Sequence, residues 1–302
     1  MATKASGSRT QVAYAAETVY GTTDVAPQMI ILPKSSVSLD LQKELLTNDT
    51  IVGDRMTLAD RHGNRTVSGD LVAPLQHGQW DDWLQAVLGG TWTANAVKNG
   101  VTNRSYTVEV GQLDLTTPQY RRFTGVRINS FGLEVDPGSI VNVTWGLMGA
   151  GMTSSTAALD ATMTAVQDKQ AMSHIGGSIT VDGGAVCATA FSLNIDNGMT
   201  AAFCIGSAAA EDQVWSETQV DGSVTFYFES LTQYNLFINE NIVPIVVVLS
   251  DGTNTLTFTI PKAKFNTAAV PTSNSGMMFL TMDWKASRDS VTTSLMSITR
   301  SA

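Results

Sequence analysis

The chain has 302 residues, a net charge of −9 at neutral pH and only 15% charged residues, against about 25% in an average soluble protein. This length allows two domains of about 150 residues each, and the shortage of charge predicts that much of the surface contacts other protein. The negative charge, without a cluster of Lys and Arg, excludes a protein that grips nucleic acid through its phosphates.

The first half begins with a strand pattern, a polar stretch and a helix. Residues 37–41 (VSLDL) alternate as a strand, and residues 42–64 form a polar stretch. Loops longer than about 12–15 residues are uncommon and tend to be functional. A helix is predicted next, because apolar side chains recur at helical spacing and two glycines follow them. This apolar stripe, expected to pack on a sheet, consists of Trp80, Trp83, Leu84, Val87 and Leu88.

A hairpin and a linker complete the first half. Phe131, Leu133 and Val135 share one face of an alternating run, and the turn sequence DPG at residues 136–138 leads into a second alternating run. Residues 151–170, which are rich in Ala, Thr and Ser, are interpreted as an inter-domain linker.

The second half contains two further hairpin patterns, a second polar stretch and a second helix. Residues 178–186 predict a hairpin that turns at the two glycines 183 and 184, and residues 245–260 predict another around the Asp-Gly pair at 251 and 252. Residues 197–219 are the second polar stretch. Ser230 is the predicted N-cap of a helix with one apolar stripe, which consists of Leu231, Tyr234 and Ile238.

The order of these elements occurs twice, with a period near half the chain. Two pairs of segments carry the repeat: residues 37–41 (VSLDL) with 191–195 (FSLNI), and residues 66–71 (TVSGDL) with 219–224 (QVDGSV). Such a period predicts two similar domains, residues 1–150 and residues 171–302, and a pseudosymmetric assembly.

No catalytic or cofactor motif accompanies the repeat. The sequence has no Gly-x-Ser-x-Gly, His-Glu-x-x-His or phosphate-binding Gly-x-x-x-x-Gly-Lys-Ser/Thr pattern. His62, His77 and His174 lie apart in loop-like sequence, where solvated or capping roles are expected. Cys187 and Cys204 have neither metal nor disulfide spacing, so free buried thiols are expected. We therefore predict a protein that is not an enzyme and that takes no cofactor and no metal.

Six short segments, in this order, resemble the tail tube (major tail) proteins of long-tailed bacteriophages: residues 20–23 (YGTT), 65–69 (RTVSG), 120–127 (YRRFTGVR), 146–152 (GLMGAGM), 193–198 (LNIDNG) and 297–300 (SITR). The resemblance implies a mainly β fold of two tandem tail-tube-type β-sandwich or barrel domains, each with one flanking α-helix. It also implies rings that stack into a hollow tube, through which the genome passes from capsid to cell.

The resemblance further implies a place and a set of partners. The protein is expected in the virion tail, after synthesis in the bacterial cytoplasm, beside tail completion, tape-measure and tail-tip proteins. DNA is expected to pass without specific binding. No membrane association is expected, because the sequence lacks an apolar run of 18 residues.

The width of DNA predicts how many chains form a ring. If each domain gives about four strands to the lumen wall, strands about 4.8 Å apart and tilted about 45° give roughly 26 Å of backbone diameter for 12 strands and roughly 52 Å for 24. Side chains reduce the open diameter of each barrel by about 10 Å. A DNA duplex on the order of 20 Å wide therefore passes only through the larger barrel. The sequence therefore predicts a homotrimeric ring with pseudo-sixfold symmetry; a homohexamer is the alternative.

Polar residues that share one face of the predicted strands are expected to line the lumen, where an acidic surface lets DNA slide. These residues are Asp40, Ser68, Asp70 and Glu134 in the first half, and Asn194, Asp221 and Ser223 in the second. The two polar stretches, 42–64 and 197–219, are expected to contact the next ring. In the first stretch the predicted contact residues are Asn48, Asp54, Arg55, Asp60 and Arg61.

A different class of function stays open at this point. A β-sandwich adhesin or carbohydrate-binding module would also be rich in Thr, Gly and aromatic residues. That reading predicts exposed tryptophans in a cleft, whereas most tryptophans here stand at helical or strand spacing, where burial is expected.

Overall fold

Strands dominate the fold, so the prediction of a mainly β protein is confirmed. The computed structural model describes residues 4–271 and 275–301. Apart from one short 3-10 turn at Gly7–Arg9, its elements in chain order are β1 (Thr10–Ala16), β2 (Ile30–Leu32), β3 (Ser36–Val37), β4 (Asp40–Leu46), β5 (Arg61–Pro74), α1 (Asp81–Leu88), β6 (Ala96–Lys98), β7 (Tyr106–Gln112), β8 (Gln119–Val135), β9 (Asn142–Gly149), β10 (Gly151–Ser155), β11 (Ser173–Val181), β12 (Gly184–Ala185), β13 (Ala188–Asp196), β14 (Thr200–Ala202), β15 (Asp212–Val214), β16 (Gln219–Tyr227), α2 (Thr232–Ile238), β17 (Ile242–Ser250), β18 (Thr255–Phe265), β19 (Phe279–Ala286) and β20 (Ser297–Arg300).

The predicted hairpins form, with one change in a turn. β8 pairs with β9, and β17 pairs with β18, as the alternation indicated. The hairpin of β11 and β12 turns at Asp182 and Gly183, which both have positive φ (53° and 75°), because Gly184 is already opposite Val181 in the ladder. The predicted turn at residues 183 and 184 was therefore one residue too late.

The two halves of the chain repeat one order of strand pairing. In the first half the neighbours are β4, β5, β9 and β8; in the second they are β13, β16, β19 and β18. The N-terminal part of β8 lies between β7 and β10 in a second layer, and the N-terminal part of β18 lies likewise between β17 and β20. Each half thus supplies four strands to one sheet and shares its long fourth strand with the second layer.

Two antiparallel pairings join the halves, β8 with β13 and β6 with β20. β8 pairs with β13 from Val135 opposite Phe191 to Ser130 opposite Asp196. The eight strands from β4 to β18 therefore form a continuous sheet, and one apolar cluster extends across residues of both halves. The segment expected to begin the linker, residues 151–155, is strand β10, which pairs with β8 and so belongs to the first half.

The same close contact between neighbouring strands occurs once in each half. Ser38 Oγ accepts a hydrogen bond from the N–H of the residue after Gly69 at 2.8 Å, and Ser192 Oγ accepts one from the N–H of the residue after Gly222 at 2.9 Å. A Cβ at Gly69 would lie 2.5 Å from the Ser38 carbonyl oxygen, and one at Gly222 would lie 2.0 Å from that of Ser192. The repeated glycine is required because the backbones approach too closely for any side chain.

The first helix is buried at the centre of the core, as its stripe predicted. Trp83, Leu84 and Val87 are all buried, and Gly89 ends α1 in the left-handed conformation with a φ of 62°. Trp83 meets Trp145 of β9 edge to face, with ring centroids 5.4 Å apart. The helix therefore covers the apolar face of the sheet.

The second helix lies at the periphery, contrary to the predicted stripe. No residue of α2 is buried, and Leu231 and Ile238 are 57% and 58% exposed. Tyr234, Leu236 and Phe237 make partial contacts with the core. The N-cap position belongs to Leu231, although Ser230 Oγ does accept a hydrogen bond from the Thr232 N–H at 3.3 Å.

Candidate functional site

The eight-stranded sheet has one buried face and one polar face. In an antiparallel pair, residues directly opposite each other point to the same side. One row crosses β9, β8, β13, β16 and β19, and none of its side chains is buried. Its members, in order, are Thr144, Gly132, Asn194, Asp221 and Lys285. The polar surface thus continues across the joint between the two halves.

The seven residues predicted to line a lumen all lie on this polar face. Asp40 is opposite Ser68 on neighbouring strands of the first half. At the joint, Glu134 is opposite Ser192, which is in turn opposite Ser223. The remaining three are Asp70, Asn194 and Asp221, and none of the seven is buried. The structure therefore brings residues that are far apart in the sequence onto one surface.

Acidic groups outnumber basic ones where this face reaches solvent. Its carboxylates are Asp40, Asp70, Glu134, Asp196, Asp221 and Asp283, of which Asp40 forms an ion pair with Arg121 at 3.1 Å, and its lysines are Lys264 and Lys285. The lysines are already engaged: Lys264 Nζ lies 2.7 Å from Glu240 and Lys285 Nζ donates to Gln219 at 3.1 Å. Such a face repels a polyanion because it offers few free cations for phosphate contacts.

The first polar stretch is a long hairpin rather than an uninterrupted loop. β4 and β5 pair as far as Leu46 opposite Arg61, which leaves residues 47–60 as the connection. Local bonds shape it, since the Asn48 N–H donates to Asp60 at 3.0 Å and Asp54 accepts from the Met56 N–H at 3.0 Å. The predicted contact residues Asn48, Asp54, Arg55 and Asp60 lie in this connection, where Asn48 is partly buried and the other three are exposed, and Arg61 lies at the start of β5.

The same connection carries apolar side chains that the sequence reading passed over. Ile51 is 90% exposed, and Val52, Met56 and Leu58 are also exposed. The available signal was four apolar residues within eight positions of an otherwise polar stretch. Exposed apolar groups gathered at one end of a molecule mark a contact surface.

The second polar stretch is folded against the body of the protein. β14 and β15 pair within it, and the buried Asn197 Nδ2 donates to the Val87 carbonyl at 3.0 Å. The guanidinium of Arg127 lies over the ring of Tyr20, 4.5 Å from its centre. It also forms an ion pair with Asp212 of this stretch at 2.8 Å. Residues 197–219 are thus an ordered cap at the same end of the sheet as the β4–β5 connection, and their predicted contact with the next ring stays a prediction.

The opposite end of the sheet also exposes apolar side chains. β5 and β16 run in the same direction, so Tyr227 at the end of β16 lies far from residues 47–60. Tyr227 packs on Phe279 with centroids 5.4 Å apart, and both rings are partly open to solvent. Ile140, Leu231 and Met277, at the same end, are exposed, and Met277 is 70% exposed.

Three titratable groups in or beside the helix α1, Asp82, Tyr14 and His77, have structural partners. Asp82 accepts hydrogen bonds from the Tyr14 hydroxyl at 3.0 Å and from Gln85 at 3.1 Å, and burial raises the pKa of Tyr14 above its usual range. Burial, with the ammonium of Lys169 3.3 Å away, lowers the pKa of His77. His77 is buried, whereas the sequence predicted a solvated or capping role.

Neither a metal centre nor a membrane helix is present in the part of the chain that the structure describes. Within residues 4–271 and 275–301, no three His, Cys, Asp or Glu side chains cluster so as to hold a metal ion. Over the same residues, no helix combines the length and apolarity needed to cross a membrane. Cys187 and Cys204 are free and exposed, so the expectation of buried thiols was wrong.

The chain is similar to known proteins both in sequence and in structure. No curated protein matches the chain. Among solved structures, a chain of the 6-fold symmetrised cryo-EM structure of the anti-feeding prophage (AFP) baseplate is 16% identical, with a TM-score of 0.36 over 51% of this chain and 97% of that chain. The family model described as phage tail tube protein matches residues 7–286. This chain belongs to the family of phage tail tube proteins.

Proposed function

We propose that three copies of this chain close into a ring of six tube-type domains, two per chain, and that such rings stack into the hollow tube that conducts the phage genome. Family membership makes the protein a structural component of a phage tail. The observation that carries the finer proposal is the continuous eight-stranded sheet with one polar face. The two domains correspond to residues 1–150, extended by strand β10, and residues 171–302, whose strands repeat one order of pairing.

The strand count supports a trimer. Three chains contribute 24 strands, and a barrel of that size has a backbone diameter of roughly 52 Å, or on the order of 40 Å between side chains. A duplex about 20 Å wide passes with room for water and ions. Two chains would leave only about 5 Å of clearance, and six would give a barrel roughly 100 Å across, far wider than DNA requires.

The proposed lumen is the acidic polar face. Its opposite face is filled by α1 and the second layer, so only the polar face is available to water along the inside of a closed barrel. Excess carboxylates keep the phosphates of the passing duplex from binding to the wall, because no counterions are released on contact. Genome transit then meets little friction.

Stacking is proposed to use the two apolar ends of the sheet. The β4–β5 connection carries Ile51 and Met56 at one end, and Leu231 and Met277 are exposed at the other. Different patches at opposite ends make a head-to-tail contact, which continues without closing and so produces a filament. The occupant proposed for each patch is therefore the other patch on a second copy of this chain.

The number of chains in a ring tests the trimer directly. Rings released from tubes by mild denaturant are expected to have the native mass of three chains of 32.2 kDa each. Imaging of concentrated protein by negative stain provides the tubes. A ring mass that corresponds to six chains would overturn the trimer and favour the hexamer.

Labelling of introduced cysteines tests the lumen. In a variant with Cys187→Ser and Cys204→Ser, Asn194→Cys puts a thiol on the polar face, and Asn235→Cys puts one on α2, across the sheet. A maleimide attached to a folded protein too bulky to enter the tube is expected to label both positions in subunits but only position 235 in tubes. Equal labelling of position 194 in tubes would place the polar face outside.

The stacking contact is tested by shortening the hairpin. Replacing residues 47–60 by Asn-Gly joins Leu46 to Arg61 through a two-residue turn suited to the ladder. This variant is expected to form rings that do not polymerise. A matched variant with Ile51, Val52, Met56 and Leu58 changed to Ser keeps the length and is expected to show the same loss; normal tubes from both would contradict the contact.

A further inference from the structure

The C-terminal strand joins the two halves of the chain in the second layer. β20 lies between β6 of the first half and β18 of the second, with Ile298 opposite Val97 on one side and Phe258 on the other. Near its end, Arg300 forms an ion pair with Asp81 at the start of α1. The end of the chain therefore holds the first helix of one half against the strands of the other.

Beyond β20 the chain meets the buried ring of His77. Ser301 is fixed on the second half, because its N–H donates to the Thr255 carbonyl at 2.9 Å and its Oγ accepts from the Thr255 N–H at 3.0 Å. The Ser301 carbonyl oxygen lies 3.3 Å from Nε2 of His77, and the Lys169 ammonium lies 3.3 Å from Nδ1. The carbonyl of Lys169 accepts a hydrogen bond from Gln76 at 2.9 Å. One imidazole thus connects the loop after β5, the segment before β11 and the end of the chain.

The two contacts of the ring require a neutral imidazole. An ammonium group can only donate, so the Nδ1 that faces Lys169 carries no proton. The proton of the neutral ring is then on Nε2, which donates to the Ser301 carbonyl. Burial and the Lys169 ammonium lower the pKa of His77, in agreement with this arrangement. A second proton on the ring would replace the hydrogen bond at Nδ1 by repulsion between two cations.

The other charged groups around the ring offer no substitute for the lost bond. Among the described residues, the charges that act on His77 are those of Lys169, Arg300 and Asp251. Arg300 is a second cation. Asp251 is the acid, but its carboxylate already accepts hydrogen bonds from two N–H groups of its own turn, at 2.9 Å and 2.6 Å. A charged His77 therefore faces two cations and an acid that already has partners.

We propose that His77, Lys169 and residues 297–301 form a clasp between the two halves, which is closed while the imidazole is neutral and opens at mildly acidic pH. Opening separates the ammonium from the ring and frees the end of the chain and the segment before β11. The joint of β8 with β13 contains no histidine in its paired residues and is expected to stay closed. The subunit then loses one of its two joints and keeps the other.

The direction of the pH dependence follows from the lowered pKa of His77. A histidine whose pKa is lowered in the folded state stabilises that state fully above its ordinary value of 6.5. This contribution is lost as the pH falls from 6.5 through the lowered pKa, because the unfolded or opened chain then binds the proton more tightly. The clasp is therefore expected to weaken just below pH 6.5.

Hydrogen exchange of unassembled subunits tests the clasp. Exchange is measured at pH 7.5 and pH 5.5 and corrected for the intrinsic rate at each pH. The N–H groups of Met172, Arg300 and Ser301, which bond to backbone carbonyls across the clasp, are expected to lose protection several-fold at pH 5.5. Protection in β13 is expected to stay nearly constant. Equal protection of the three N–H groups at both pH values would overturn the proposal.

Three substitutions assign the effect to the ring and its partner. His77→Gln keeps an N–H donor for the Ser301 carbonyl but gains no charge, so it is expected to exchange equally at both pH values. Lys169→Met removes the ammonium and is expected to lose most of the difference. His62→Gln removes an exposed histidine and is the matched control, expected to behave as the parent does. Retention of the full difference by His77→Gln or by Lys169→Met would overturn the proposal.

NMR titration of the parent gives an independent measurement, which decides the matter if His77→Gln does not fold. The His77 ring is expected to titrate with a midpoint below 6.5, and this midpoint is expected to rise in Lys169→Met. A midpoint at or above 6.5 in the parent would overturn the clasp. Both measurements use single subunits, so a failed clasp leaves the proposed tube intact, and a failed trimer leaves the clasp intact.

Discussion

The two helices occupy the same place in the repeat yet contribute very differently to the fold. α1 follows β5 and is enclosed by Trp80, Trp145 and the second layer, whereas α2 follows β16 and has no buried residue. The difference shows that a repeated order of elements fixes topology but not depth of burial. The first half carries the main aromatic core, and the second half leaves its helix near an exposed apolar end.

Removing one aromatic ring from each helix would sharpen this comparison most. Trp83→Ala is expected to lower the free energy of unfolding by about 3–5 kcal/mol, because it opens a cavity in a close-packed core. Phe237→Ala is expected to cost about 1 kcal/mol, since only part of its ring is removed from water. Urea unfolding of the subunits measures both, and equal losses would break the contrast between the helices.

The crowded glycines test where the halves are alike. Gly69→Ala and Gly222→Ala are each expected to cost roughly 1–3 kcal/mol, because the new methyl group collides with a backbone carbonyl. Gly132→Ala is the control within the same sheet, since its Cβ would meet nothing closer than Thr144 at 3.8 Å. Thermal unfolding should leave that control at or above the parent midpoint; a similar drop in all three variants would remove the steric explanation.

The paired serines give a smaller test of the same likeness. Ser38→Ala and Ser192→Ala are each expected to cost about 0.5–1.5 kcal/mol, the net contribution of one hydrogen bond. The larger loss is expected at Ser192, which is less exposed and also bonds the Ser223 hydroxyl at 2.9 Å. Chemical unfolding at constant pH provides the ranking, and the reverse order would contradict it.

The smallest effect is expected at the exposed end of α2. The hydrogen bond and charge of Lys264 hold the pKa of Glu240 below its ordinary 4.5. A carboxyl with a lowered pKa in the folded state stabilises it above the ordinary value, and this contribution disappears as the pH falls through the lowered pKa. Glu240→Gln should therefore reduce the unfolding midpoint slightly at pH 7 and not at pH 2; an equal reduction at both would exclude the ion pair as its source.

The sequence predicted those parts of the fold that depend on neighbours in the chain. The β8–β9 hairpin follows from Phe131 and Leu133 alternating with polar residues before a turn sequence, and α1 follows from its stripe and Gly89. α2 was misjudged because a stripe reports which side of a helix is apolar, not whether anything covers it. The turn at Asp182 was misplaced by one residue because ladder register, rather than glycine content, set its position.

The sequence predicted which residues lie on the candidate surface better than it predicted the conformation of the segments at its end. Alternation selected Asp70, Glu134 and Asp221 for one side of their strands, and the structure puts them on one face. The exposed apolar residues around Ile51 in the β4–β5 connection were not predicted as a contact surface, because four apolar residues without periodicity resemble an ordinary loop. The folded state of residues 197–219 depends on contacts of Asn197 and Arg127 with distant backbone, which no local pattern records.

By itself, the sequence determined the strand-rich class, the internal repeat and the polar side of each strand, because these are set by side-chain alternation along the chain. Only the tertiary structure decided that β8 and β13 merge two sets of four strands into one sheet. Pairing between strands distant in the sequence depends on backbone hydrogen bonds that every residue except proline can both donate and accept. Which edges meet is therefore fixed by the packing of the whole chain.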